Sequence, residues 1–131
     1  MTIVPDASVA VELLLRTALG ETLYRRLAGE TLVAPALIDC EVLAVLRKLV
    51  MRKELSEARA ATAIVDLPFW PVRRLAARDL LREAWSLRHN VSAYDAFYVA
   101  AARLCEALLL TADGPLARAP RLGIAIENVR L

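Results

Sequence analysis

The stretch VSAYDAFYVAAARLCEALLLTADG, residues 91–114, contains a helix, a strand and a turn. No charged residue falls between Asp95 and Arg103, and the run suits a helix over 92–104 that is buried against other elements. Ser92 and Asp95 stand at capping-box spacing, where a hydroxyl and a carboxylate three residues on satisfy orphan N–H groups. A carboxylate in the first turn also suits the positive end of the helix dipole. ALLLT (107–111) follows as a short apolar strand, and ADGP (112–115) turns the chain just after it. A helix leading directly into an apolar strand is the repeating unit of a layered α/β fold.

The same alternation runs outward in both directions. TIV (2–4) reads as a strand and residues 6–16 as a helix, with a second amphipathic helix over 20–28. TLVAP (31–35) is a strand closed by Pro35. Residues 37–52 set Leu43, Leu46 and Val50 against Arg47, Lys48 and Arg52 with helical period. Residues 55–67 form a helix with Ser56 as its N-cap, and Pro68 follows its end. FWPVRRL (69–75) is expected to be an edge strand, because Pro71 has no N–H to donate. A helix over 76–88 precedes the opening stretch, and a short helix and a last strand, IAIENV (124–129), follow it. Strands separated by helices predict a single domain over 1–131. Its expected form is a three-layer α/β/α arrangement with a central, mostly parallel sheet of about four to five strands.

With 131 residues and 58% of them hydrophobic, the chain can bury a substantial core. Charged residues or prolines interrupt every apolar run before it could span a bilayer, and MTIVPD lacks the basic start of a signal peptide. A cytoplasmic protein with no membrane partner is the expectation. Cys40 and Cys105 lie in apolar segments without CxxC spacing and are expected to be buried free thiols. The net charge of +2 neither demands nor excludes nucleic acid. Basic residues do cluster, at Arg47, Lys48, Arg52 and Lys53 and again at Arg73, Arg74, Arg78 and Arg82, although solvated helix faces would look the same.

In a parallel sheet, ligands collect beyond the carboxyl ends of the strands. Asp6 directly follows the first strand and Asp113 the fourth, while Glu41 lies within two turns of the end of the second. Asp95 reaches the same edge only if the chain returns across the sheet through RHNVSAYD. Each acid has an ordinary explanation: a cap at Asp6, a turn at Asp113, an exposed helix position at Glu41, with Asp39 its rival. Gathered together, four acids repel one another and raise their own pKa values, a cost that a hard cation such as Mg²⁺ or Mn²⁺ relieves. His89 is the only histidine and no Gly-rich phosphate loop is present, so no nucleophile–base constellation competes.

Four stretches, IVPDASVAVELLL (3–15), APALIDCEVLAVLRKL (34–49), VSAYDAFYVAAAR (91–103) and LLTADGPLAR (109–118), resemble the PIN domain and specifically the VapC toxins of VapBC toxin–antitoxin systems. The resemblance covers essentially the whole chain. It implies Mg²⁺, with Mn²⁺ able to substitute, held mainly by Asp6 and Asp95, with Glu41 and Asp113 completing a catalytic acidic pocket. Ser8 and Thr111 match the family's small hydroxyl positions. DCEV matches a D-x-E-V form and so favours Glu41 over Asp39. The chain departs from many relatives at Gly114 and Pro115, where a basic residue is common, and at Ala100–Ala102. The implied activity is endoribonucleolytic cleavage of structured RNA, tRNA or rRNA, with Arg47, Lys48, Arg73 and Arg74 as RNA contacts. The implied partners are a VapB-like antitoxin, lying over Leu13, Leu14, Leu23, Leu27, Leu46 and Val50, and a second copy of the chain. Few aromatics are expected at the surface, which favours a folded RNA over a generic single strand. Two alternatives stay open: a haloacid-dehalogenase-like phosphatase with Asp6 as nucleophile, and a non-catalytic PIN-like scaffold.

Overall fold

The structure, a computed structural model, describes residues 1–119 and 122–130. Five parallel strands form one sheet: β1 (Thr2–Pro5), β2 (Thr31–Pro35), β3 (Arg73–Leu75), β4 (Leu108–Thr111) and β5 (Ile126–Asn128), in the order β3-β2-β1-β4-β5. Helices α1 (Ala7–Leu15) and α2 (Ala18–Leu27) join β1 to β2, and α3 (Ile38–Met51) and α4 (Glu57–Asp66) join β2 to β3. Helices α5 (Ala77–Ser86) and α6 (Ala93–Leu104) carry the chain to β4, and the one-turn α7 (Gly114–Ala117) lies between β4 and β5.

The three central strands, β1, β2 and β4, are mainly apolar on both faces, as a sheet covered by helices on both sides requires. Successive residues point to opposite sides, so the register settles which face each serves. Val4 pairs with Leu109, and both pack into the larger cluster with Val33, Ile38, Leu46, Leu80 and Val99. Ile3 and Leu110 belong to the other cluster, with Val9 of α1 and Leu23 and Leu27 of α2. Fully burying each such side chain is worth roughly 1.5–3 kcal/mol.

Chain direction reverses at one place. From β1 the sheet grows through β2 to β3; the chain then crosses back to lay β4 on the other side of β1. The carboxyl ends of β1 and β4 therefore flank the topological switch point. Helix α6 ends at Leu104, just before β4 begins at Leu108, so it runs from the carboxyl edge of the sheet to the amino edge. The connection over 87–92 makes the return that Asp95 requires, and the Arg103–Glu83 ion pair (3.1 Å) ties the far ends of α5 and α6 together.

Three expectations change in detail. β3 is an edge strand, but it is shorter than 69–75: Leu67–Phe69 form a 3₁₀ turn, and pairing starts only at Arg73, beyond the last proline. β5 is limited to Ile126–Asn128. The cysteines are not buried: Cys40 is exposed and Cys105 half-buried. Ile38, Val42 and Leu46 form the inward stripe of α3, which turns Cys40, two residues past Ile38, outward. No helix among the described residues is long and apolar enough to cross a membrane.

Candidate active site

Asp6 stands directly after β1 as the N-cap of α1. Its Oδ1 accepts the Val9 N–H (3.1 Å) and the Ser8 hydroxyl (2.5 Å). The Ser8 hydroxyl in turn accepts the Ala112 N–H (2.9 Å), which binds the start of α1 to the end of β4. The Asp6 N–H donates to the Leu110 carbonyl (3.0 Å). Capping and site chemistry therefore coexist: one carboxylate oxygen fixes the helix, and the residue is held at the switch point. Thr111, fully buried, accepts the Asp113 N–H (2.8 Å), so the turn after β4 is set by that hydroxyl.

Glu41 lies in the first turn of α3 and Asp95 in the first turn of α6. Ser92 caps α6 by accepting the Asp95 N–H (3.3 Å). The return bond of a capping box, in which the Ser92 N–H donates to the Asp95 carboxylate, is not formed among the described residues. Asp39 is not Glu41's equal: it pairs with Arg74 through Nε (2.8 Å) and Nη2 (3.0 Å) and takes no part in the acidic group.

The four acids share one electrostatic neighbourhood. Burial pushes the Asp6 carboxyl above the ordinary aspartate range; Ser8, Thr111 and the Val9 N–H oppose the shift, and the charge of Asp113 adds to it. Burial likewise raises Glu41; the Tyr98 hydroxyl opposes the shift, and the charges of Asp95 and Asp6 reinforce it. Asp95 is raised by burial and by Asp113, against the pull of the Ser92 hydroxyl. Sequence reasoning missed Tyr98. Its phenol is buried against Glu41, and burial followed by the Glu41 carboxylate raises its pKa, which keeps it a neutral donor. Its spacing of three from Asp95 placed it on the same helix face, but an aromatic at helical spacing reads first as core.

This donor set fits a hard divalent cation. Carboxylate oxygens prefer such ions, and burial together with mutual repulsion leaves Asp6, Glu41 and Asp95 with a charge that a cation relieves. Among the described residues no three His, Cys, Asp or Glu side chains already surround a common point. The acids share a field without forming a closed cage.

A pH dependence follows from the signs. The folded pKa values of Asp6, Glu41 and Asp95 exceed their unfolded values, so the stability they contribute is present below about pH 4 and lost as pH rises through the raised values. Mn²⁺ should offset that loss only where the acids are ionised. Thermal denaturation should show a Mn²⁺-induced rise on the order of 10 °C near neutral pH, at about 100 times the dissociation constant, and little near pH 4. An equal rise at both pH values would contradict the assignment.

The basic residues divide. Arg47, Lys48 and Arg73 are exposed. Arg74 is not available for RNA as expected: besides Asp39, its guanidinium donates to the carbonyls of Leu67 (2.7 Å), Val72 (3.3 Å) and Trp70 (3.4 Å). It holds the irregular segment before β3 in place of the ladder bonds that Pro68 and Pro71 cannot make. The surface is also richer in aromatics than expected: Tyr24, Phe69, Trp85 and Tyr94 are each at least 65% exposed. Tyr94 adjoins Asp95, and Arg88 stacks on the Trp85 ring at 4.8 Å.

A parallel sheet with acids converging on its switch point defines an α/β/α domain with an acidic site, and the family profile described as "PIN domain" matches residues 3–122. The chain belongs to the PIN-domain family. Within it, the chain is 39% identical over 127 residues to Ribonuclease VapC12 of Mycobacterium tuberculosis, covering 97% of this chain and 98% of that one. It is 40% identical over 129 residues to Ribonuclease VapC1 of the same organism, covering 97% of each. Its fold is similar to that of VapBC2 from Rickettsia felis, solved bound to a DNA fragment from the promoter, with a TM-score of 0.69 at 14% identity over 97% of this chain and 98% of that one.

Proposed function

We propose that the chain is a divalent-metal-dependent endoribonuclease, the toxin of a VapBC-type toxin–antitoxin pair, acting in the cytoplasm on folded RNA of the tRNA or rRNA kind. The observation that carries this reading is the group of acids at the switch point, three of them driven toward protonation by burial first and by one another's charge second. Its near-full-length likeness to proteins named Ribonuclease VapC supports the substrate class.

Asp6 and Asp95 would hold Mg²⁺, or Mn²⁺ in its place, with Glu41 and Asp113 completing the set. Bound there, the ion supplies Lewis-acid stabilisation of the charge that develops on a phosphodiester under attack. Ser8 fixes the Asp6 carboxylate and ties it to the end of β4. Thr111 sets the turn that presents the exposed Asp113. Arg47, Lys48 and Arg73 supply phosphate contacts that offset the acidic pocket. Tyr94, exposed beside Asp95, gives a stacking surface for an unpaired base. Together these favour an RNA loop, in which a folded stem displays unpaired bases.

Incubating the purified chain with total RNA and Mn²⁺ tests the reading. Discrete fragments from tRNA or rRNA should appear, EDTA should stop their formation, and raised salt should weaken binding steeply. Cleavage that persists in EDTA would defeat it.

The antitoxin would occupy a cleft of about 680 Å³ lined by Leu13 and Leu14 of α1, Tyr24 and Leu27 of α2, and Phe69 and Trp70 before β3. Leu23 and Leu46 are core, only 2% and 1% exposed, and drop out of the contact set. Exposed Leu43, Met51, Leu81 and Trp85 give a second copy apolar surface to cover. Light scattering at micromolar concentration should return twice the 14.4 kDa chain mass; a clean monomer would refute the dimer.

A further inference from the structure

Two polar atoms at the site, Glu41 Oε1 and the Tyr98 hydroxyl, are sealed from solvent and unpartnered among the described residues. Tyr98 is 2% exposed, deep in the body of the protein. The Tyr98 hydroxyl lies within reach of the Glu41 side chain, although neither orphaned atom has a hydrogen bond of full geometry. A buried donor and a buried acceptor left without partners are each costly. These two are complementary: a neutral phenol donates, and a carboxylate accepts.

We propose that Tyr98 is a positioning residue, whose hydroxyl donates to Glu41 Oε1 and so orients the carboxylate, leaving Oε2 for a divalent cation. This rests on the reading above that Glu41 belongs to the cation's ligand set. Asp95 and Tyr98 share α6, three residues apart, so one helix face carries both a cation ligand and the group that aims a second ligand from α3. A charge-assisted O–H···O⁻ bond in so dry a place is short and directional, which is what a flexible glutamate on a helix lacks by itself. Hydrogen-bonding partners of metal ligands typically contribute 10- to 100-fold in metal affinity.

The test is Mn²⁺ titration of the purified full chain by calorimetry or electron paramagnetic resonance, so it does not depend on activity. Tyr98→Phe keeps the ring and removes one oxygen; it should weaken Mn²⁺ binding about tenfold or more while leaving the metal-free melting temperature unchanged or raised. In a Glu41→Gln background, Tyr98→Phe should change Mn²⁺ affinity less than about twofold, because the group it orients is no longer a carboxylate. Equal Mn²⁺ affinity of wild type and Tyr98→Phe, or fully additive losses in the double variant, would overturn the proposal. A wild-type chain that binds no Mn²⁺ defeats the metal-dependent function as well; binding that ignores Tyr98 defeats only the positioning role. One measurement needs no variant. In the Mn²⁺-loaded wild type, the phenol oxygen should lie about 2.5–2.7 Å from Glu41 Oε1, and a separation beyond about 3.5 Å refutes the bond.

Discussion

Asp6→Asn should lower RNA cleavage by about 1,000-fold or more while leaving the fold intact. Asp6 is the most buried of the four acids, at 6% exposure, and it sits where the chain reverses direction through the sheet. A metal's contribution to a phosphodiester transition state is several kcal/mol, and each 1.36 kcal/mol is a factor of ten. Removing the charge of a principal ligand therefore removes most of that contribution. The fold should survive because the asparagine carbonyl oxygen can still accept the Ser8 hydroxyl and the Val9 N–H. Metal-free stability near neutral pH should hold or rise, since an ionised carboxylate disfavoured by burial and by Asp113 is gone. Cleavage assays with Mn²⁺, paired with thermal denaturation of the metal-free protein, separate the two effects. Activity within tenfold of wild type would exclude Asp6 as a ligand.

Gly20→Ala should destabilise the protein by about 3 kcal/mol or more, although intrinsic helix propensity favours alanine over glycine by about 1 kcal/mol. Gly20 lies in the first turn of α2, and a Cβ there would stand 2.6 Å from the carbonyl carbon of Glu12 and closer still to its oxygen. Those are backbone atoms of α1, so no side-chain rotation relieves the overlap. The helices must separate, which loosens the cluster of Ile3, Val9, Leu23, Leu27 and Leu110 and strains the Thr17 cap on the Gly20 N–H (3.0 Å). Sterics outweigh propensity because the contact is between two main chains. Chemical denaturation reads the loss directly; a change under about 1 kcal/mol would mean that the helices yield far more easily than their packing implies.

Patterning was enough for much of the architecture. Apolar runs of strand length alternate with helical periods, and hydrogen bonding and chain handedness leave a covered parallel sheet as the economical solution. Ser56, Ser92 and Asp6 announced helix starts because capping is local: the hydroxyl or carboxylate reaches an N–H three residues ahead. Three of the acids could be placed at one edge for a similar reason, since a residue just after a parallel strand, or just inside the following helix, has little choice of edge.

What stayed hidden depends on residues distant in sequence. Arg74 read as one more member of a basic cluster; only the fold brings Asp39 of α3 against it, which with three neighbouring carbonyls turns a candidate phosphate contact into the clasp of an irregular edge. Cys40 read as buried because its segment is apolar, but which side of a helix faces inward is decided by the whole stripe through Ile38, Val42 and Leu46. Gly20 read as an ordinary helix start, because nothing local announces the main chain of α1 pressed against it. Asp95 needed a return across the sheet whose length, over 87–92, no periodicity specifies. Tyr98 looked like packing until Glu41 was found facing it, fifty-seven positions away in the chain. Local hydrogen bonding and hydrophobic period determined the elements and the edge they share. The tertiary structure alone decided which polar groups meet there, because burial and charge act through distance in space rather than along the chain.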